Sequence, residues 1–138
     1  MLNQNQKQRD KLLFENSIVP YGSGVARFEK ASLTTIKQLI SLKFLDPEDR
    51  QSNSPCAKEF LTIASNLIKS YPKLAKQIYF HGYVIDKSRE DYRATLEGIG
   101  ISRGVQDVTS EMKIQLKLLF RKADDIQFDS GEFWCWYD

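Results

Sequence analysis

Several residue types that build common functional sites are scarce in this 138-residue chain. It has two cysteines, Cys56 and Cys135, which lie in opposite halves without CxxC or Cys/His spacing, and one histidine, His81. This spacing argues against a disulfide framework or a zinc site and predicts two free thiols in a reducing compartment. The glycines near Gly24 lack the spacing of a phosphate-binding loop. No metal and no cofactor are therefore expected.

Long apolar runs and a large net charge are also missing. No apolar run approaches the roughly 20 residues that cross a bilayer, and the first ten residues are mostly polar. We therefore expect no membrane insertion and no secretion, and predict a soluble protein of the cytoplasm. Twenty basic residues against eighteen acidic ones leave a net charge of +2, which is small for a dedicated nucleic-acid binder.

The composition predicts a folded protein. Hydrophobic residues make up 41% of the 138 residues and charged residues 28%, which is typical of globular chains and outside the range of disorder. This length matches one ordinary domain with a self-sufficient core. We predict a single domain over residues 1–138, with fraying over residues 1–10.

Helical periodicity is concentrated in the first half. Residues 4–15 are predicted to form a short helix. Ser32 is a suitable N-cap for a second helix over residues 33–44, whose apolar positions recur at helical spacing. Ser54 and Pro55 resemble an N-cap and a first helical residue, and predict a third helix that ends before Pro72.

Residues 77–101 show the clearest two-residue alternation and predict a β-hairpin. The even positions of both arms carry the apolar residues Ile78, Phe80, Val84, Tyr92, Ala94 and Leu96. Both sets can share one face only if directly opposite residues have numbers with an even sum, for example Phe80 with Leu96 and Val84 with Tyr92. The other face then holds Tyr79, His81, Tyr83, Arg93, Thr95 and Glu97.

The last third is predicted to contain a helix and a second hairpin. Residues 109–122 fit both a strand and a helix pattern, and their helix-forming composition favours the helix. Asp129-Ser130-Gly131 indicates a turn between two short strands. The fold class is therefore α+β, with N-terminal helices followed by a ββαββ unit that forms an antiparallel sheet with its helices on one face.

The densest aromatic segment lies at the C-terminus. Alternation places Trp134 and Trp136 on one face of a strand and Phe133, Cys135 and Tyr137 on the other, so the core can cover only one set. The other set predicts a surface that binds a protein partner or a second copy. We therefore expect a non-catalytic protein-interaction module. Its predicted partner-binding residues are Tyr79, His81, Tyr83, Arg93, Trp134 and Trp136.

Two alternative functions follow from other features. Two helices followed by a hairpin have the element order of a winged helix, which would bind nucleic acid through its second helix. That helix has few exposed cations, and the connection before it is longer than in the motif. The second alternative is a small enzyme with His81 as general acid or base. Its site would also contain Tyr79, Tyr83, Arg93 and Glu97.

Overall fold

The computed structural model describes residues 1–15 and 17–138. These residues form the helices α1 (Gln6–Phe14), α2 (Leu33–Ser41), α3 (Ala57–Ser70) and α4 (Ser110–Leu119), and a 3₁₀ turn over Pro72–Lys76. The strands are β1 (Val25–Ser32), β2 (Ile78–Ile85), β3 (Ala94–Ile101), β4 (Asp125–Asp129) and β5 (Glu132–Trp136). They form one antiparallel sheet in the order β1-β2-β3-β5-β4. The predicted α+β class, with helices on one face of an antiparallel sheet, is confirmed.

Local capping explains where the helices begin. The Ser32 hydroxyl accepts a hydrogen bond from the Thr35 N–H at 3.1 Å, as the sequence predicts. The prediction that α3 begins at Ser54 and Pro55 is wrong. The helix begins at Ala57, because the Glu59 carboxylate accepts the N–H of Cys56 at 3.0 Å and so caps the chain two residues later.

The ambiguous segment near residue 114 is helical. Met112, Leu116 and Phe120 are buried at helical spacing, whereas Ile114 and Leu118 remain exposed. A strand would place all the even positions on one face and bury them together. The segment is therefore a helix, and Ile114 and Leu118 lie on its exposed side.

The central hairpin forms as predicted, but its register differs. Phe80 lies opposite Ile99, not Leu96, and Val84 lies opposite Ala94, not Tyr92. Directly opposite residues have numbers with an even sum, as predicted, only in the half of the hairpin near its loop. The register shifts between His81 and Gly82, because β3 has one extra residue there, a β-bulge at Glu97.

The core lies between the sheet and helices α2, α3 and α4. On the sheet side it contains Phe80, Leu96 and Ile99 of the hairpin, together with Phe133, Cys135 and Tyr137 of the C-terminal segment. On the helix side it contains Ile36, Leu39, Phe60, Leu67, Met112 and Leu116. In the part of the chain that the structure describes, no helix covers the opposite face of the sheet, and side chains of this face line a cavity at the surface.

Candidate functional site

The helix-free face of the sheet forms an open groove. Four rings project from its strands, those of Tyr79, His81, Trp134 and Trp136. With Arg27, Glu29, Lys30 and Glu97 they line a cavity of about 300 Å³. We call this cavity the aromatic groove. Trp134 and Trp136 are half-buried, and Tyr79 is also partly exposed. The groove therefore offers ring faces and edges to a ligand.

Glycines on β3 form the floor beneath two of these rings. A Cβ atom on Gly100 would lie 2.2 Å from the ring of Tyr79, and one on Gly98 would lie 2.5 Å from His81 Nε2. The rings of Tyr79 and His81 therefore pass close over the main chain of β3. Larger residues at these two positions would displace the rings and fill the groove.

His81 is held by its neighbours on β5. Its Nε2 lies 2.7 Å from the carbonyl oxygen of Cys135, so this nitrogen carries the proton and donates. The ring stacks on Trp134 with a centroid distance of 5.3 Å and an interplanar angle of 17°. Burial lowers the pKa of His81, and nearby Arg27 acts in the same direction. The imidazole is accordingly neutral at physiological pH.

Glu97, the bulge residue, organises the wall of the groove. Its carboxylate accepts the indole N–H of Trp136 at 3.1 Å and also binds the guanidinium of Arg27. The residue is only 3% exposed, and burial raises the pKa of its carboxyl group while Trp136 and Arg27 lower it. Glu97 therefore links a tryptophan of β5 to an arginine of β1 across the face of the sheet.

A loop partly covers the far end of the same face. Tyr83 Oη accepts hydrogen bonds from Gln51 Nε2 at 2.9 Å and from Arg93 Nη2 at 3.0 Å. Thr95 donates to Asp49, and Arg93 lies 3.7 Å from the same carboxylate. Burial raises the pKa of Asp49. Gln51 and Asp49 belong to the loop between α2 and α3, which therefore ties Tyr83 and Arg93 into the protein.

The six residues predicted to bind a partner divide into two groups. Tyr79, His81, Trp134 and Trp136 meet in the aromatic groove, whereas Tyr83 and Arg93 lie beyond Glu97 in a neighbouring cavity. The structure shows which face of the C-terminal strand is buried. Phe133, Cys135 and Tyr137 enter the core, and the two tryptophans face the groove.

Sequence reasoning missed Arg27 and Lys30 of β1. The Lys30 ammonium lies 5.4 Å from the centroid of the Tyr79 ring, and Arg27 binds Glu97. A signal for Arg27 was present, because Ala26 and Phe28 alternate with it as buried residues of a strand. Lys30 follows a register shift between Phe28 and Ala31, which alternation alone does not reveal.

Neither metal ligation nor similarity to known proteins assigns a function to the described residues. Among the described residues, no group of three or more His, Cys, Asp or Glu side chains is placed to hold a metal ion. No helix in the described part of the chain has the length and apolar composition needed to span a bilayer. No protein-family model, curated protein or solved structure matches the chain.

Proposed function

We propose that this chain is a non-catalytic interaction module that binds an extended segment of a partner protein in the aromatic groove. The observation that carries this proposal is the set of four rings, arranged over a glycine floor on the helix-free face of the sheet. Tyrosine and tryptophan supply apolar area together with a polar edge, and they are enriched where proteins meet. Glu97 and the stacked His81 hold the two tryptophans in place before any ligand arrives.

The charge beside the groove indicates the composition of the segment. Residues 124–138, which contain β4 and β5, include five carboxylate side chains and no lysine or arginine. Asp125 lies opposite Trp136 and Gln127 lies opposite Trp134, so Asp125 shares the face of the groove. A lysine or arginine of the partner can stack on a tryptophan and approach these carboxylates. We therefore propose that the bound segment is cationic.

The surroundings of His81 favour binding over acid or base catalysis. Its Nε2 proton is directed to a main-chain carbonyl, and the other ring contact is the face of Trp134. The buried thiol of Cys135 has a pKa raised to about 12 by desolvation, so it stays protonated and is a poor nucleophile.

The test uses the fact that the only two tryptophans of the chain line the groove. A display library of random 12-residue peptides is selected against the full chain, and the recovered peptides are titrated while tryptophan emission is followed. We expect peptides with lysine or arginine beside an apolar residue, and emission that shifts on binding. Binding that weakens with added salt would agree with the charge argument.

Variants locate the binding site, with labelled peptides and fluorescence anisotropy as the readout. We expect Trp134→Ala to weaken binding at least about tenfold, as for a central interface aromatic. Leu42→Ala, at an exposed leucine after α2, is the matched control and should bind normally. A selection that returns only peptides indifferent to Trp134→Ala would contradict the proposal. Light scattering on the free chain reports whether a second copy occupies the groove instead.

A further inference from the structure

A second surface lies on the opposite side of the molecule, where α4 exposes large apolar side chains. Ile114 is 71% exposed, Leu118 65% and Leu119 46%. Single exposed apolar residues are common, but these three fall within two turns of one helix. They are not needed by the core, which α4 reaches through Met112, Leu116 and Phe120.

Two of these side chains form one wall of a groove between α3 and α4. Leu118 and Leu119 face Ile63 and Leu67 of α3 across a cavity of about 290 Å³. At one end Tyr71 donates a hydrogen bond to Gln115 at 3.3 Å, which joins the end of α3 to α4. An apolar trough between two helices suits the apolar face of a third helix.

Lysine and arginine are concentrated in two segments that contribute side chains to this trough. The segments 69–76 and 113–122 contain seven lysine or arginine residues and no aspartate or glutamate, although the whole chain has a net charge of only +2. Ser70 lines one end of the trough with Lys69 next to it in sequence. At the other end Leu119 also lines a cavity with Arg121 and Lys122.

One carboxylate approaches this surface and is already paired. Glu59 lines the cavity that holds Arg121 and Lys122, and its side chain lies 3.1 Å from the guanidinium of Arg50. Along the margin of α4 that faces β4, the ammonium groups of Lys113 and Lys117 lie 5.7 and 5.8 Å from the Phe128 ring. Glu111 is the one acidic residue of α4, and neither Lys113 nor Lys117 forms an ion pair among the described residues.

We infer that the trough between α3 and α4 is a docking site for an acidic amphipathic helix of a partner protein. The apolar trough takes one face of that helix, and cations at the ends of the trough, such as Arg121 and Lys122, pair with its glutamate or aspartate residues. A flat bilayer would reach Ile114 and Leu118 but would leave the partly exposed Ile63 uncovered in the trough. A nucleic acid would use the cations and leave the leucines without a partner.

The experiment is a selection of random 18-residue peptides on the full chain, followed by anisotropy titrations of the labelled peptides recovered. We expect a class of helix-forming acidic peptides with apolar residues at i, i+3 or i+4, and i+7. Leu118→Ser and Lys122→Glu should each weaken this class at least about tenfold, since Lys122 lines a cavity with Leu119 at the end of the trough. Leu42→Ser is the matched control. Leu42 is also an exposed leucine, but it lies at the end of α2, outside the trough.

Other outcomes would overturn the inference. In one, no selected peptide depends on Leu118 for binding. In another, the peptides that depend on Leu118 are basic or neutral. A third outcome is that no acidic peptide is selected and the chain co-sediments with vesicles of phosphatidylcholine and phosphatidylglycerol. If Leu118→Ser abolishes this co-sedimentation, the surface binds a membrane instead. Trp134→Ala should leave the acidic peptides bound, which separates this surface from the aromatic groove. Melting by circular dichroism shows that each variant is folded.

Discussion

The imidazole of His81 lies parallel to the indole of Trp134, with centroids 5.3 Å apart, and donates through Nε2 to the carbonyl of the next residue, Cys135. Two consecutive residues of β5 thus position one side chain of β2, although β3 lies between these strands. The contact is possible because the imidazole passes over Gly98 of β3. A change in the charge or position of this ring should therefore affect both stability and the groove.

Protonation of His81 is expected to destabilise the fold. Burial lowers the pKa of His81 in the folded chain, while in the unfolded chain it stays near 6.5. The unfolded state therefore binds the proton first, so stability is greatest above this value and falls as the pH decreases toward the folded-state pKa. The buried carboxyl groups of Glu97 and Asp49 have raised pKa values and contribute with the opposite sign.

His81→Gln separates these contributions, because glutamine keeps an N–H donor but does not titrate. Urea denaturation at about pH 7.5 and about pH 5 gives the free energy of unfolding of both proteins. We expect the wild-type chain to lose stability relative to the variant on going to the lower pH. If both proteins respond to pH in parallel, His81 is not the titrating group.

Gly98→Ala should distort the pairing of β3 with β5. The added Cβ would lie 2.0 Å from the carbonyl oxygen of Cys135, a main-chain atom that cannot rotate away. Overpacking of this kind costs about 1–3 kcal/mol. Gly22→Ala is the control, because a Cβ at Gly22 has no neighbour within 4 Å. Thermal melting should separate the two variants, and Gly98→Ala should also shift tryptophan emission. Equal melting temperatures would contradict the close approach.

The fold class and the two faces of the central hairpin could be read from alternation, but the register could not. Alternation assumes an uninterrupted pleat, and the extra residue at Glu97 breaks it in the middle of β3. The consequence is specific. Leu96 and Ile99 both face the core, whereas Glu97 and Gly98 both lie on the groove side, where they hold Trp136 and His81.

The composition of the groove was only partly predictable for a related reason. Tyr79, His81, Trp134 and Trp136 belong to strands that are not neighbours in sequence, and their meeting depends on β5 inserting between β3 and β4. Sequence alternation assigns each residue to a face but does not order the strands. The loop that holds Tyr83 through Gln51 was likewise unpredictable, because it has no periodic pattern.

Arg9 is expected to anchor α1 to the rest of the fold. Its side chain is fully buried and donates to the carbonyl of Ile85 at 3.0 Å and to Tyr21 Oη at 2.8 Å. The guanidinium carbon lies 4.7 Å from the centroid of the Tyr92 ring, and Nε lies 3.0 Å from Asp10. The predicted short N-terminal helix is therefore fixed by a cluster of polar contacts.

Arg9→Ala leaves the buried carboxylate of Asp10 without its cation. Removing one partner of a buried ion pair typically costs about 3–5 kcal/mol, and we expect a loss of stability in this range by urea denaturation. Lys7→Ala, at an exposed position of the same helix, should stay within about 0.5 kcal/mol of the wild-type chain. A similar small effect in both variants would show that α1 is not anchored through Arg9.

The C-terminal segment is expected to be essential for folding. Phe133, Cys135 and Tyr137 are 1%, 0% and 2% exposed, and β5 lies between β3 and β4 in the sheet. Removal of residues 132–138 would therefore strip part of the core and leave β4 without a partner. Loss of a buried large aromatic costs about 3–5 kcal/mol, against about 5–15 kcal/mol for a typical domain. We expect the truncated chain to be unfolded by circular dichroism.

Adjacent residues of β5 should separate stability from binding. Phe133 stacks on Phe120, the C-cap residue of α4, with ring centroids 5.6 Å apart, so Phe133→Ala opens a cavity in the core and should cost about 3–5 kcal/mol. Trp134 is half-buried on the groove side, and Trp134→Ala should lose less than half of that stability while it weakens capture of cationic peptides. Thermal melting and peptide anisotropy measure the two effects on the same samples. A Trp134→Ala chain that melts as low as Phe133→Ala, and binds peptides normally once folded, would assign this tryptophan to the core and remove it from the groove.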